Sequence, residues 1–395
     1  MKISQLDLER FFKYLFAFFL ICFLSGCSTS FYLKEGFKKN VEEADKSKIE
    51  YRFLLIGDAG DPSLDEQEPV LKAMEERAAL LPDRTISLFL GDNVYPDGFS
   101  PDNNAENKTP IKRIEEQIRV VENSETKGIF IPGNHDWGDG SSDGWERVRK
   151  EENYIEKYEP QIQFLPESGC PGPAYKDYGN ILRIIFIDTQ WWLQPDGYKP
   201  DSSNSVCYPF SKEGLINNVD SLIRTAGDKN ILIAAHHPLE TYGEHGGFFD
   251  WRMHLFPLLA LDRFLWIPFP VMGSVYPLVR VSGFYPQDIA NELYKDFIER
   301  MEKVLSKYHK VIYASGHEHS LQVLNGVNDN IYLISGFGTS IHINSLSYGD
   351  KSILSVHSPG FMQLDFLKDG RVRIGVYTVS VNYKSTETFS MWLFN

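Results

Sequence analysis

Ile86-Ser87-Leu88-Phe89-Leu90-Gly91-Asp92-Asn93-Val94-Tyr95 is the stretch that decides the fold. An apolar run stops at a glycine and then delivers a carboxylate, an amide and a phenol in quick succession. Such a run reads as a strand buried on both faces, with the polar residues in the loop just past its end. The same grammar recurs on either side. Residues 53–56 precede Gly57-Asp58-Ala59-Gly60, and Ile129-Phe130-Ile131 leads through Pro132 to Gly133-Asn134-His135-Asp136. Residues 231–235 precede His236-His237-Pro238, and residues 311–314 precede Gly316-His317-Glu318-His319. Side chains set just beyond the C-terminal ends of neighbouring strands converge on one crevice. Asp58, Asp92, Tyr95, Asn134, His236, His317 and His319 would surround two metal ions with oxygen and nitrogen donors. That chemistry points to a two-metal hydrolase acting on phosphate esters.

Around these runs, apolar strand-like segments alternate with helical ones. A helix is expected near residues 68–81, where Val70, Leu71 and Met74 recur at helical spacing, and another over 110–121. Later strands are expected at 182–187, 230–235 and 310–314. After His319 the pattern turns to strands alone, at 321–324, 331–334, 361–366 and 372–378. The alternation, closed by a meander, suggests an α/β fold of two packed sheets flanked by helices. Residues 250–285 interrupt it with an apolar insert. Its stretch from 264 to 279 is uncharged and broken by Pro268, Pro270 and Pro277, so it is no membrane span. The expectation is a buried cap, and the alternative is a lid that touches lipid or an apolar substrate.

The chain has 395 residues, 42% of them hydrophobic, and a net charge of −14. It is long enough for one large domain or two modest ones. Such an acidic chain repels the phosphate backbone, so nucleic acid is not an expected partner. At the N-terminus Lys2, Arg10 and Lys13 precede an apolar run over 14–24 that is too short to span a bilayer. Leu24-Ser25-Gly26-Cys27 then reads as a lipobox. The expected organisation is a lipoprotein signal over 1–27, a polar tether over 28–49, one domain over 50–380 and a closing strand over 381–395. The protein would be an exported bacterial lipoprotein, held through lipidated Cys27 at the periplasmic or cell-surface face of a membrane. Cys170 and Cys207 are expected to form a disulfide in that oxidising compartment.

The five runs, in this order, resemble those of the calcineurin-like metallophosphoesterases, and within them the purple acid phosphatases. Most metallophosphoesterases carry a histidine where Gly60 stands; here Tyr95, after Asp92, takes its place as in purple acid phosphatases. Gly-Asp-Asn-x-Tyr, and Gly-His-x-His followed by Leu321-Gln322, resemble the smaller animal-type members. The resemblance spans residues 51–380 without the insert and implies a four-layer α/β/β/α sandwich. It further implies that Asp58, Tyr95 and His319 bind a first metal, iron, and that Asn134, His236 and His317 bind a divalent iron, zinc or manganese. Asp92 would bridge them. His236 rather than His237 is chosen because the family run is His-x-Pro. His135 would contact the substrate phosphate, and His245, in Glu244-His245-Gly246, would assist the leaving group. The implied reaction is hydrolysis of a phosphate monoester by attack of metal-bound hydroxide. A phosphodiesterase or phospholipid-headgroup hydrolase is the alternative, and a non-catalytic binding lipoprotein on the same scaffold is another.

Overall fold

A computed structural model describes residues 28–394 apart from 39, 102–104, 201–206, 208–210, 261–263, 271 and 340–343. The signal and Cys27 lie outside the described residues.

Strands follow in chain order as β1 (Phe31–Leu33), β2 (Ile49–Ile56), β3 (Thr85–Phe89), β4 (Lys127–Phe130) and β5 (Ile162–Phe164). Next come β6 (Ala174–Tyr178), β7 (Leu182–Phe186), β8 (Asn230–Ala234), β9 (Val311–Ser315) and β10 (Leu321–Asn325). The last are β11 (Ile331–Ser335), β12 (Ser352–Val356), β13 (Gly360–Leu367), β14 (Val372–Val379) and β15 (Ser385–Leu393). One sheet runs β15-β14-β13-β2-β3-β4-β5 and the other β1-β12-β10-β11-β9-β8-β7-β6. Strands β2 to β5 pair in parallel, as do β7, β8, β9 and β11.

Parallel strands need apolar cover on both faces, and alternate residues supply it. Phe53, Leu55, Leu88 and Ile129 face Ile184, Leu232, Ala234 and Ile312 across the space between the sheets. Leu54, Ile56, Phe89 and Phe130 turn the other way, onto helices α1 (Pro69–Ala78), α2 (Lys108–Asn123) and α3 (Gly144–Ile155). In α2 the buried Ile114, Ile118 and Val121 recur at the spacing of one helix face. The short α4 (Gln190–Leu193) leads to α5 (Lys212–Arg224). Two more short helices, α6 (Trp251–Leu255) and α7 (Val275–Val281), come before α8 (Glu292–Leu305). Helices α5 and α8 cover the second sheet through Leu215, Val219, Phe297 and Met301. The result is the expected four-layer sandwich. Cys170 and Cys207 are disulfide-bonded, with Cα atoms 5.2 Å apart.

Two expectations about the periphery differ from the structure. Residues 28–49 are docked rather than a loose tether: β1 pairs antiparallel with β12, and Arg373 donates to the carbonyls of Val41 and Glu42. The strand covers an otherwise open edge. The insert is likewise no buried cap. Phe249, Met253 and Leu259 form a small core there among the described residues, backed by Phe256 and Tyr276, while Trp266, Met272 and Leu278 are exposed. Among the described residues, no helix is long and apolar enough to cross a membrane.

Candidate metal centre

The centre lies where β2, β3, β4, β8 and β9 end, at the edge between the two sheets. Two positions show how tightly the loops pack. A Cβ on Gly133 would come 2.3 Å from Asp92 Oδ1, and one on Gly60 would come 2.3 Å from the Asn93 carbonyl carbon. Gly60 therefore has no room for a side chain, a histidine included. Asp58, Asp92 and His317 hold left-handed φ values of 56°, 55° and 67°. Non-glycine residues adopt such values at an energetic cost, which clusters at functional sites.

All seven proposed donors meet here. The Tyr95 hydroxyl lies 3.1 Å from Asp58 Oδ1, from Asp92 Oδ2 and from His319 Nε2. On the other side, Asn134 Oδ1 lies 3.0 Å from His236 Nε2 and 3.0 Å from His317 Nδ1. Asp92 Oδ2 also reaches His236 Nε2, at 3.3 Å, so one carboxylate touches both groups. His236, His237 and His317 bring ring nitrogens within 4.8 Å of one another. His237, however, has both nitrogens engaged, Nδ1 with Thr189 Oγ1 and Nε2 with Gln287 Oε1, each at 2.7 Å. It braces the wall of the centre, and His236 is the one aimed inward.

Charge in this pocket is poorly balanced by the protein alone. Burial, with the neighbouring Asp92 adding to it, pushes the Asp58 carboxyl up to about 7 despite His236. Burial and then the Asp58 and Asp92 charges raise the Tyr95 phenol well above its ordinary value. Asp92 is buried too, but His236 and His135 hold its carboxyl low. Burial drives His319 down to about 3 and His317 well below the usual range, so both are neutral donors. His236 goes the other way: against the effect of burial, Asp92 raises it to about 9. Cations would displace protons from Asp58, Tyr95 and His236, and His317 and His319 would meet them as neutral donors. The residues present fit two metal ions.

Residues beyond the seven donors hold this arrangement. Asp136 accepts from the backbone N–H groups of Gly133, Asn93 and Val94, tying the loop after β4 to the loop after β3. Its place beside Gly133-Asn134-His135 is the one signal in the sequence. Asp139 accepts from Asn134 Nδ2 at 3.2 Å, which turns the amide oxygen inward. Glu318 accepts from the N–H groups of Glu244 and His245 and fixes that loop. The His245 ring packs against that of His317, centroids 3.9 Å apart and planes tilted by 35°, and its Nδ1 lies 3.0 Å from Asp288 Oδ1. Arg280, from the insert, holds the same Asp288 through two 2.6 Å bonds. His135 donates its backbone N–H to Asp92 Oδ1, and its ring lies 4.2 Å from that of Tyr95. Burial works against a charge on His135, yet Asp92 beside it raises its pKa overall.

His135 and His245 both face a cleft of about 410 Å³ whose floor includes Asp92, Asn134, His317 and His319. Tyr276, Val279, Arg280 and Phe284, all from the insert, form the facing wall. Gln287, Asp288 and Arg280 carry no motif in the sequence; only the fold brings the insert and its return segment over the strand ends.

Residues 51–321 match the family model of the calcineurin-like phosphoesterases. The chain is 21% identical over 294 residues to purple acid phosphatase 3 of Arabidopsis thaliana, covering 73% of this chain and 63% of that protein. Its fold is similar to that of a purple acid phosphatase from yellow lupin seeds, with TM-score 0.52, 15% identity and coverage of 86% of this chain and 53% of that one. It is similar too to GAP50, described as the anchor in the inner membrane complex of Plasmodium. There the TM-score is 0.50 and the identity 16%, over 88% of this chain and 89% of that one. With a family model spanning most of the chain and a purple acid phosphatase as relative, the chain belongs to the calcineurin-like phosphoesterases, a family of metal-dependent hydrolases, and is purple acid phosphatase-like within it.

Proposed function

We propose that the protein hydrolyses phosphate monoesters at a dinuclear centre and does so on a membrane surface, anchored through lipidated Cys27. The observation that carries the first part is the convergence of seven donors in two groups that share Asp92. Asp58, Tyr95 and His319 would hold iron, since two anionic oxygens suit a hard trivalent ion. Asn134, His236 and His317, with fewer charges, would hold a divalent iron, zinc or manganese. When bound, the metals supply Lewis acidity for the phosphate oxygens and an activated water.

The chain's own side chains do the rest. His135 faces the cleft, and against the opposing effect of burial Asp92 raises its pKa, so it would offer positive charge to the phosphate. His245 is oriented by the Asp288 carboxylate at Nδ1, so Nε2 is the atom that hands a proton to the departing alkoxide. Arg280, fixed by Asp288 and Tyr276, adds a second cation to the cleft wall.

A second reading, hydrolysis of diesters or phospholipid headgroups, is favoured by Tyr276, Val279 and Phe284 in that wall. Turnover of an aryl phosphate, its matching diester and a long-chain alkyl phosphate separates the two. Metal content of about two ions per chain with no turnover of any ester would sink both. Acyl mass on the N-terminal peptide tests the anchor separately.

A further inference from the structure

Residues 264–279 carry no charged side chain, and the structure leaves much of this stretch in water. Met272 is 68% exposed, Leu278 62% and Trp266 50%, with Ile267 and Val275 alongside; Phe284, just beyond, is 81% exposed. Within α7, Val275 and Leu278 lie one turn apart and face outward, while Tyr276 and Arg280 reach inward. The patch is a built surface. Phe269 N–H donates to the Leu255 carbonyl at 2.8 Å and Gly273 N–H to the Phe269 carbonyl at 2.7 Å. Tyr276 packs edge-on against Phe249, and Arg280 clamps Asp288 beneath. Apolar patches held rigidly in the open mark interaction sites.

Where the chain enters the domain says what covers the patch. Ser28, the first described residue, is hydrogen-bonded to the backbone of Leu346. Ser28, Thr29 and Ser30 line one hollow with Asp250, Trp251 and Arg252, where the insert begins. Cys27 is one peptide bond from Ser28, about 3.8 Å between Cα atoms. An acyl group carried by Cys27 would therefore enter the bilayer beside the insert.

We infer that the exposed face of the insert is a membrane-docking surface, whose apolar side chains enter the headgroup–acyl boundary of the bilayer that holds Cys27. The inference rests on the lipoprotein anchor proposed above. A local anchor keeps the patch at high effective concentration over lipid, so a weakly binding face is enough. Indole rings favour this boundary, as Trp266 would there. The chain's net charge of −14 gives no attraction to anionic headgroups, so burial of apolar side chains is the driving term and zwitterionic lipid should serve as well. Docking also brings the cleft mouth to headgroup level, because Tyr276, Val279 and Phe284 belong to both the insert and the cleft wall.

The test uses the mature full chain in phosphatidylcholine vesicles with or without bromine in the acyl chains. Comparison with Trp266→Phe isolates the Trp266 emission, which should fall roughly twofold in brominated vesicles because the ring sits near the acyl boundary. The triple variant Met272→Ser, Val275→Ser, Leu278→Ser should stay on the vesicles through its lipid, keep its turnover of a soluble aryl phosphate and lose the quenching. Wild-type protein on vesicles without quenching would overturn the inference. So would self-association in lipid-free buffer that covers Trp266 and persists on vesicles, since a second copy would then own the patch. An unacylated N-terminal peptide would refute the anchor instead. In that case quenching of protein that sediments with vesicles still decides the patch, present in support and absent against.

Discussion

Asp92 is the residue on which the two halves of the centre meet, with one oxygen 3.1 Å from the Tyr95 hydroxyl and 3.3 Å from His236. Asp92→Ala should cost both metals and all activity, and Asn134→Ala the metal that Asn134 would hold, both read by metal analysis. His245→Ala should keep the metals and lose turnover by about 10²–10⁴-fold, the usual share of a general acid. Metal loss in that variant would place His245 among the ligands. Tyr95→Phe should abolish the visible absorption of the iron-loaded protein while circular dichroism stays unchanged; a coloured variant would remove Tyr95 from the ligand set. Away from the centre, burial raises the Glu152 carboxyl from 4.5 to about 7, although it accepts from the Ser168 N–H. A raised carboxyl favours the folded state fully below pH 4.5, and that contribution fades as pH climbs through 7. Glu152→Gln should thus be more stable than wild type at pH 8 and lose the advantage near pH 4.5, as urea midpoints at the two pH values would show.

Strand ends and the loops after them set the precision of the site. The parallel pairing of β2, β3 and β4 brings their three loops into contact, and glycines let the backbones touch. Gly133→Ala puts a methyl group on Asp92, so it should destabilise by about 1–3 kcal/mol and lower metal content. Thermal melts of the metal-free and metal-loaded protein would separate the two effects. At this scale the sequence was informative where apolar runs were long. The strands from β7 to β9 and β13 lie within a residue or two of expectation. Strands β1, β5, β6 and β12 were not foreseen: β1 and β5 have only three residues each, β6 is half-exposed in a hairpin with β7, and β12 pairs with β10 and β1, neither of them its neighbour in the chain. Helix α2 runs two residues further at each end than its periodicity suggests, since polar end residues carry no pattern.

The whole molecule is two sheets face to face, and a disulfide ties Cys170 to Cys207, 37 residues further along the chain. Cys170→Ser with Cys207→Ser should lower stability by about 3–4 kcal/mol in the chain-entropy account, measured by urea unfolding. An unchanged midpoint would mean that the unfolded chain is already restrained there.

Sequence alone determined the five metal-directed loops, the layered α/β class and the two bonded cysteines, because each rests on residues close in the chain or on periodicities that burial enforces locally. Tertiary structure alone decided the rest. The His-x-Pro run pointed to His236, but what holds His237 out of the centre, Thr189 and Gln287 on other elements, is visible only in the fold. The clamp of Arg280 and Asp288 on His245 joins residues that no motif links. Apolar composition could not say whether the insert is covered or bare, since burial is a property of neighbours in space, and here the neighbours stop short of Met272 and Leu278.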